Sequence, residues 1–389
     1  MKLLHTSDWH LGRSFHGVGT LPAQRRFADQ LLATVAAEGV DVVLLAGDVY
    51  DRALPNVDVV NLFDDILARL NEAGVPIVIT SGNHDSATRL GFGGRIMERA
   101  GVHLRTRLAD LATPALFPLD ATGPAGPQLA VYGIPYLEPR LVAVALDAEP
   151  ASHFSVTEAA LKLVRADLSA RPEGTAAVVL AHTFASGGIT SASERDLAVG
   201  GVGAVPLDLF DGFTYTALGH LHGRQRLSET VRYSGSPLPY SFSEAAHTKG
   251  AWLVEVTADG LKEVRRVDWP AERPLSVLRG TLADLLADPQ WDAAEAHFCQ
   301  VTLTDNDRPA NAMEALRTRF PNTLVLMFEP ENARDRGAES YSQRVLAAVD
   351  ELDLCCGFLD HVRHRPANDD EQGLLRDVLA SVHAQEAAL

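Results

Sequence analysis

The sequence predicts an α/β fold in which buried strands alternate with helices. Two observations carry this prediction. Within the first ninety residues, strand-like and helix-like runs follow one another, and the strand-like runs are continuously apolar, as is typical of strands buried on both faces. Each apolar run also ends abruptly in polar residues, which indicates a strand that leaves the sheet and enters a loop.

The first elements form a β-α-β-α-β alternation. Helix periodicity is clear in residues 22–39, where Phe27, Leu31 and Val35 lie on one face and Gly39 ends the helix. A second helical pattern covers residues 57–74. The predicted strands are KLLHT at the N-terminus, VDVVLLAGD at 40–48 and VPIVITSGNHD at 75–85.

After a less regular middle, four further apolar runs predict strands. AAVVLAHTF (176–184) and TYTALGHLHGRQ (214–225) continue the alternating pattern. VRYSGSPLPYSF (231–242) and KGAWLVEV (249–256) read as antiparallel strands joined by Gly-Ser-Pro turn residues.

Composition places the chain among ordinary globular proteins. Its 389 residues favour two or three domains, and 46% hydrophobic with 22% charged residues is usual. No apolar run approaches the ~20 residues of a membrane span, and the N-terminus lacks signal-peptide features. Three cysteines give neither a disulfide framework nor zinc spacing, so we expect a reduced, cytoplasmic protein.

The net charge of −17 argues against a generally adhesive nucleic-acid binder but leaves room for a local positive site. The motif loops contain several arginines that could neutralise phosphates near a scissile bond, although scattered arginines are more often solvated loop residues. These are Arg13, Arg52, Arg89, Arg224 and Arg226.

Seven residues with nitrogen or oxygen donors lie at the ends of five predicted strands. In alternating α/β layers the carboxyl ends of the strands form the site, so we expect these side chains to converge. Two divalent ions about 4 Å apart can clamp the attacking and leaving oxygens of a phosphoryl transfer, and such a pair needs about this many ligands. The residues are Asp8, His10, Asp48, Asn83, His182, His220 and His222.

The types of donor atom limit the choice of metal ion but do not identify it. Carboxylate, amide and imidazole groups with no thiolate suit six-coordinate Mn²⁺ or Fe²⁺ better than structural zinc. His220 and His222 are two residues apart, which places both on the same side of an extended segment. The alternative for any one such residue is a helix cap, a turn or a surface histidine.

The motifs DWH (8–10), GDVYD (47–51), GNHD (82–85), AH (181–182) and GHLH (219–222) resemble those of the calcineurin-like metallophosphoesterases. The segments HTSDWHLG, GDVYDRALP and VRYSGSPLPYSF narrow the resemblance to the DNA double-strand-break repair nucleases. The close resemblance covers roughly residues 1–270. It implies a β-sandwich flanked by helices, followed by a small α/β capping domain and a C-terminal helical tail.

The resemblance also implies roles for individual residues. Asp8, His10, Asp48 and His222 would hold one ion, and Asp48, Asn83, His182 and His220 the other, with Asp48 as the bridge. His84 would be catalytic without being a ligand, either stabilising the transition state or protonating the leaving oxygen. Archaeal relatives carry a histidine where this chain has Asp51, which puts a second histidine role in doubt. His5 and His16 match no motif position and are expected to be structural or exposed.

The implied function is a Mn²⁺-dependent DNA nuclease of repair and recombination. It would act as a 3'-5' exonuclease on duplex ends and an endonuclease on single strands and hairpins. Its expected partners are DNA and an ATPase with a coiled coil, in a heterotetramer containing a nuclease homodimer. Two alternatives stay open: a metallophosphoesterase acting on phosphoproteins or small nucleotides, and a non-catalytic scaffold of a repair complex.

Beyond residue 270 the sequence predicts two further regions. Residues 271–330 read as a small α/β unit, running helix, strand, helix, strand, and the resemblance implies that it is a capping domain for DNA selection. Residues 331–389 read as a linker over 331–340 and C-terminal helices. The last helix carries an apolar stripe that either packs on its own chain or, as the resemblance implies, docks on the coiled coil of the ATPase: Leu374, Leu375, Val378, Leu379 and Val382.

Overall fold

The computed structural model describes residues 1–120, 122–123, 126–194, 203–331, 348–363 and 365–386. The chain divides into two compact units, Met1–Glu272 and Arg273–Leu389. Within the described residues, no helix combines the length and the apolar character needed to cross a membrane.

The first unit contains two six-stranded sheets and a short hairpin of β2 (Ser14–Phe15) and β3 (Val18–Gly19). From edge to edge, the first sheet consists of β14 (Gly260–Asp268), β13 (Gly250–Thr257), β1 (Lys2–Thr6), β4 (Val42–Ala46), β5 (Ile77–Thr80) and β6 (Val102–Arg105). The second sheet consists of β11 (Gln225–Arg226), β12 (Val231–Tyr233), β10 (Tyr215–Gly219), β9 (Ala176–His182), β8 (Gln128–Ile134) and β7 (Ala115–Pro118).

Among the described residues of the first unit, six α-helices accompany these sheets. The helices at Leu21–Glu38 and Val57–Glu72 contribute buried residues to the same core cluster as the first sheet. The helices at Pro139–Leu146 and His153–Ser169 share a second core cluster with the second sheet. The helices are α1 (Leu21–Glu38), α2 (Val57–Glu72), α3 (Ala87–Leu90), α4 (Gly94–Met97), α5 (Pro139–Leu146) and α6 (His153–Ser169). Short 3-10 turns cover Glu98–Ala100, Leu108–Asp110, Leu207–Phe210 and Phe242–Glu244.

A third core cluster lies between the two sheets. It joins Leu44 and Val78 of the first sheet to Val131 and Leu180 of the second, all with no exposed surface. The central strands are therefore buried on both faces, which explains why they read as unbroken apolar runs. The predicted α/β fold, a β-sandwich flanked by helices, is confirmed.

Strand direction determines where the motifs meet. Strands β1, β4 and β5 are parallel neighbours, with Thr6 opposite Leu45 and Ala46 opposite Thr80. Strands β9 and β10 of the other sheet are also parallel, with Gly219 opposite His182. Because parallel neighbours end on the same side, each sheet delivers its motif loops to one edge.

The second unit begins with a three-stranded parallel sheet in the order β15 (Leu275–Gly280), β16 (Phe298–Leu303) and β17 (Thr323–Phe328). Helices α7 (Leu282–Ala287) and α8 (Ala312–Arg319), with a 3-10 segment at Pro289–Ala296, connect these strands. In the described part of the remaining chain, helices α9 (Glu351–Arg363) and α10 (Asp369–Glu386) pack on each other. The small α/β region and the helical tail are thus present as predicted, while the predicted linker, apart from Glu331, lies outside the described residues.

Two local predictions were wrong. Strands β12 and β13 do not pair with each other, because β12 joins β10 in the second sheet while β13 joins β1 in the first. The segment that begins at Pro274 forms strand β15 before its helix, so the small unit starts with a strand. In both cases a long-range strand partner decides the structure, and such a partner leaves no local periodicity in the sequence.

Candidate metal centre

The structure brings all seven predicted ligand residues and His84 to one place. Asp8 and His10 follow β1, Asp48 follows β4, and the segment 83–84 follows β5. From the second sheet, His182 is the last residue of β9, and the pair 220 and 222 follows β10. Hydrogen bonds and close contacts then connect the loops of the two sheets.

The loops reach this arrangement through unusual backbone conformations. Four of the seven residues have positive φ angles: Asp8 at 53°, His10 at 42°, Asp48 at 47° and His220 at 110°. Non-glycine residues rarely adopt this region, and such strain concentrates at functional sites. Below the loops, Trp9 is fully buried and packs edge-to-face on Phe27, which anchors the first motif to α1.

The centre of the site is the Asp48 carboxylate. Its Oδ2 lies 3.5 Å from Nε2 of His10 and also 3.5 Å from Nε2 of His182. Its Oδ1 accepts a hydrogen bond from the His84 backbone amide at 2.9 Å. A single carboxylate therefore stands between histidines that come from different sheets.

The other side chains form two groups around it. On one side, Nε2 of His10 and Nε2 of His222 are 3.0 Å apart. On the other, Nε2 of His182 is 3.0 Å from Oδ1 of Asn83, and the ring of His220 lies 5.4 Å from the His182 ring. The Asp8 carboxylate accepts the His220 backbone amide at 3.0 Å, which joins the β1 loop to the β10 loop.

The motif glycines give these groups room. A Cβ atom on Gly82 would lie 2.6 Å from Cγ of Asp48, and one on Gly47 would lie 2.8 Å from Cβ of His182. Real Cβ contacts essentially never fall below 3.0 Å. Gly47 also has a φ of 80°, which favours glycine. Both residues are therefore glycine because a larger side chain would displace a neighbouring polar group.

Burial determines the charge states. It lowers the pKa of His182 and of His222 to about 4, and with neighbouring histidines it depresses the pKa of His10 and His220 well below the ordinary value. These imidazoles are therefore neutral near pH 7, the form that ligates metals.

For the buried Asp8 carboxylate the pKa is shifted upward instead of downward. Burial, and then the nearby Asp48 carboxylate, raise the pKa of Asp8 well above its usual range. Two acidic groups in one buried space are unfavourable unless a cation compensates them. Among the described residues, none forms a hydrogen bond with Nδ1 of His10, which is buried.

The donor set fits divalent metal ions. Within the part of the chain that the structure describes, three groups of side chains have ligand atoms within 4.8 Å of one another: Asp8 with His10 and His222, His10 with Asp48 and His84, and Asp8 with Asp48 and His182. Neutral imidazoles beside buried carboxylates are the combination that such ions bind. The site can thus hold metal and would be electrostatically strained without it.

His84 is held at the rim of this cluster. Its Nδ1 donates to the backbone carbonyl of Asp51 at 2.9 Å, and its ring contacts the His10 ring edge-to-face at 4.6 Å. The Asp51 carboxylate lies 3.7 Å from Nδ1 of His10 and 3.8 Å from Nε of Arg13. Of the two unassigned histidines, His5 is buried and His16 is exposed.

Sequence reasoning missed several residues that support the loops. The Asp85 carboxylate accepts three backbone amides, from Val49 at 3.1 Å, Tyr50 at 2.9 Å and Gly82 at 2.9 Å, and so ties the β4 loop to the β5 loop. Behind His222 lie the buried Glu244 and Lys249, which form an ion pair. Asp85 is the last residue of the GNHD motif, although no role was expected for it, whereas Glu244 had no sequence signal and Lys249 was marked only as the first residue of a predicted strand.

The five arginines of the motif loops occupy three kinds of environment. The Arg224 side chain is only 5% exposed and bonds to the carbonyls of Ala251 and Val267 and to Asp268, so its role is internal. Arg52 and Arg89 are exposed, and Arg226 is exposed but paired with Glu229. Arg13 lies at the cluster, over the Tyr240 ring at 5.0 Å.

A family model of the calcineurin-like phosphoesterases matches residues 1–224, which is more than half of the chain. The chain therefore belongs to the calcineurin-like phosphoesterase family, whose members hydrolyse phosphoesters with divalent metal ions. A second family model, SbcD_C, described as the type 5 capsule protein repressor C-terminal domain, matches residues 271–362.

Solved structures with similar folds have low sequence identity to the chain. TT1561 of Thermus thermophilus is 13% identical over 69% of this chain and 98% of its own, with a TM-score of 0.40. GAP50, the anchor in the inner membrane complex of Plasmodium, is 12% identical over 85% and 98%, with a TM-score of 0.41. A dimetal phosphatase from Danio rerio is 13% identical over 69% and 99%, with a TM-score of 0.39.

Proposed function

We propose that the protein is a dinuclear-metal DNA nuclease of the SbcD type that works with an SbcC-type ATPase in DNA repair and recombination. In this proposal it is a 3'-5' exonuclease on duplex ends and an endonuclease on single strands and hairpins. The observation that carries the proposal is the combination of two family matches in one chain. A phosphoesterase domain over residues 1–224 is followed by an SbcD-related domain over 271–362.

The proposed ligand sets follow the strand-end residues. Asp8, His10, Asp48 and His222 would hold one ion, and Asp48, Asn83, His182 and His220 the other. The position of Asp48 Oδ2, 3.5 Å from both His10 and His182, supports Asp48 as the bridge. Asp8 also belongs to two of the three geometric groups, and its hydrogen bond from His220 supports a central place for it.

The metal ions, which we propose to be Mn²⁺, would polarise the phosphodiester and supply a water nucleophile at neutral pH. The protein's own contribution is to place its donors before substrate arrives. His84 donates from Nδ1 to the Asp51 carbonyl, and we assign to Nε2 of its imidazolium form the proton that passes to the leaving oxygen. The Asp51 carbonyl holds the His84 ring in one orientation, so the ring need not rotate before the proton is transferred.

Charge supports a requirement for a partner in DNA binding. The chain carries a net charge of −17, and non-specific DNA affinity comes from cationic contacts with phosphates. Arg52 and Arg89 are exposed near the motif loops, but two arginines neutralise little of a duplex. We therefore propose that the ATPase partner supplies much of the DNA affinity, in a heterotetramer built on a nuclease homodimer.

The test compares substrates in parallel. The purified chain, with and without an SbcC-type ATPase, is assayed with Mn²⁺, Mg²⁺ and Zn²⁺ on duplex DNA, hairpin DNA, a phosphopeptide and a cyclic nucleotide. We expect cleavage of duplex ends and hairpins, strongest with Mn²⁺. Hydrolysis of the phosphopeptide or cyclic nucleotide without DNA cleavage would place the protein in another class of phosphoesterase, and no hydrolysis in any arm would favour a scaffold.

The matched catalytic control is Asp48→Ala. Because Asp48 is proposed to serve both ions, its loss is expected to reduce bound metal, measured by elemental analysis, and to abolish cleavage. A purified variant that retains full activity would show that Asp48 is not the bridge.

A further inference from the structure

We infer that Ser193, Glu244 and Lys249 form a positioning relay that fixes the tautomer of the neutral His222 imidazole. The relay holds the proton on Nδ1 and thereby directs the Nε2 lone pair into the metal centre. The inference rests on the proposed metal centre but not on the choice of substrate. The three residues come from two loops, and none of them is a proposed ligand.

The relay is a continuous set of short contacts behind His222. Nδ1 of His222 lies 2.6 Å from the hydroxyl of Ser193, and that hydroxyl lies 2.5 Å from Oε1 of Glu244. The second oxygen of Glu244 pairs with the Lys249 ammonium. Lys249 also donates to the Ser236 hydroxyl at 2.9 Å and to the His222 carbonyl at 2.9 Å.

The donor count fixes the direction of each hydrogen bond. Lys249 has three donors, and they meet three acceptors, one of which is Glu244. The Glu244 carboxylate has no proton to give, so Ser193 donates to it. Because its only hydrogen is used in this way, the Ser193 oxygen accepts from Nδ1–H of His222, and the Ser191 hydroxyl at 2.9 Å is then a donor to it.

The consequence lies on the opposite side of the ring. With its proton on Nδ1, neutral His222 carries a lone pair on Nε2, the atom 3.0 Å from Nε2 of His10. Metal-ligating histidines commonly donate their other ring nitrogen to a carboxylate or a carbonyl, and loss of that partner typically lowers metal affinity ~10–100-fold. Here a serine stands between the imidazole and the carboxylate.

Lys249 gives the relay its stability. Glu244 and Lys249 are both buried, and an isolated buried charge is costly. Without the ammonium, nothing would hold the second oxygen of Glu244, and Ser193 would lose a fixed acceptor. The same ammonium holds the His222 backbone carbonyl, so one cation orients both the ring and the chain of this residue.

The experiment measures the metal and the tautomer separately on the full chain. Mn²⁺ binding is followed by electron paramagnetic resonance of free Mn²⁺, and the His222 tautomer by long-range ¹H–¹⁵N spectra of the metal-free protein. The variants are Ser193→Ala, Ser193→Thr, Glu244→Gln and Lys249→Met. The matched control is Lys262→Met, which removes an exposed lysine whose partner is Glu255.

We expect Ser193→Ala and Glu244→Gln to lower the affinity for one of two Mn²⁺ ions ~10–100-fold and to leave the other ion in place. The Nδ1–H signal of His222 should lose its dominance in the same variants. Ser193→Thr keeps the hydroxyl and should restore both properties, and Lys262→Met should change neither. If Lys249→Met does not fold, the two Ser193 variants decide the outcome.

Unchanged Mn²⁺ affinity together with an unchanged His222 tautomer in Ser193→Ala would overturn the relay. A wild-type chain that binds no Mn²⁺ would instead refute the proposed metal centre. In that case the tautomer measurement on the metal-free chain still decides whether the relay sets the protonation of His222.

Discussion

Replacing Gly82 by alanine tests the site with one added carbon atom. The new Cβ would lie 2.6 Å from Cγ of Asp48, whereas ordinary contacts begin at 3.4 Å. The Cβ would lie even closer to Oδ1 and to the backbone nitrogen of Asp48, so relief of the clash requires the loop itself to move, by about 1 Å or more. Gly82 does not have a positive φ, so the backbone itself accepts alanine, and the whole effect comes from contact with Asp48.

The cost divides between stability and activity. Overpacking of this kind typically destabilises the folded state by ~1–3 kcal/mol. Displacement of a catalytic group by about 1 Å costs on the order of 10²-fold in rate. Asp48 is also held by the His84 amide, so the carboxylate cannot move away without breaking that 2.9 Å hydrogen bond. We expect a folded Gly82→Ala variant with reduced metal content and a phosphodiesterase rate lowered by roughly 10²-fold.

The matched control is Gly19→Ala, at an exposed glycine without positive φ and with nothing within 4 Å of the added Cβ. Metal content is measured by elemental analysis, activity on bis(p-nitrophenyl) phosphate with Mn²⁺, and folding by thermal melts. Gly19→Ala should match the wild type in all three. If Gly82→Ala kept both metal ions and a rate within about twofold of the control, the close approach of residue 82 to Asp48 would not matter for metal binding or catalysis. That result would refute the prediction.

Three further predictions test separate features. His84→Gln should keep nearly all bound metal and lower the cleavage rate ~10²–10⁴-fold, since one proton-transfer group is lost; loss of metal in the same variant would make His84 a ligand. Burial lowers the pKa of His5 to about 3 from 6.5, so the unfolded chain binds more protons and stability is lost as pH falls below about 6.5. By linkage, His5 accounts for about 2 kcal/mol of the free energy of unfolding that is lost between pH 7 and pH 5. In urea unfolding with a chelator present, His5→Gln should reduce the pH dependence of that free energy by this amount, and an unchanged dependence would contradict the assignment. In α10, Leu374 is 66% exposed and Val378 51% exposed, so changing both to Asp should weaken co-purification with an SbcC-type ATPase while the melting temperature stays close to wild type; unchanged binding with a lower melting temperature would show that they pack on their own chain.

The gathering of the motif residues was predictable because it depends on local patterns and one topological rule. Apolar runs that end in Asp8, Asp48 and Asn83 indicate strands, and parallel strands in alternating α/β layers end at one edge. Once His182 and His220 were assigned to strand ends as well, their convergence followed from the same rule. The structure confirms this part of the reasoning at the level of positions.

The supporting contacts were not predictable in the same way. Glu244 ends a 3-10 turn and Lys249 lies just before β13, and their partner Ser193 is more than fifty residues from Lys249 in sequence. Arg224 looked like a phosphate-binding residue because it follows GHLH, yet its guanidinium is bonded to the carbonyls of β13 and β14. Such contacts depend on which strands become neighbours across the two sheets, and a local pattern does not record that.

The same long-range packing explains why the site holds its shape. Left-handed backbone at Asp8, His10 and Asp48 costs energy at each position, and buried carboxylates beside one another add to it. These costs are met by the surrounding loops, because Asp85 binds three backbone amides and Trp9 is locked in the core beneath. These donors are unfavourable by themselves but rigidly supported. A bound cation therefore stabilises the fold strongly, since binding relieves the electrostatic strain without reordering the chain. The backbone and the charge distribution thus lead independently to the same expectation, that metal ions raise the stability of the first unit and that chelation lowers it.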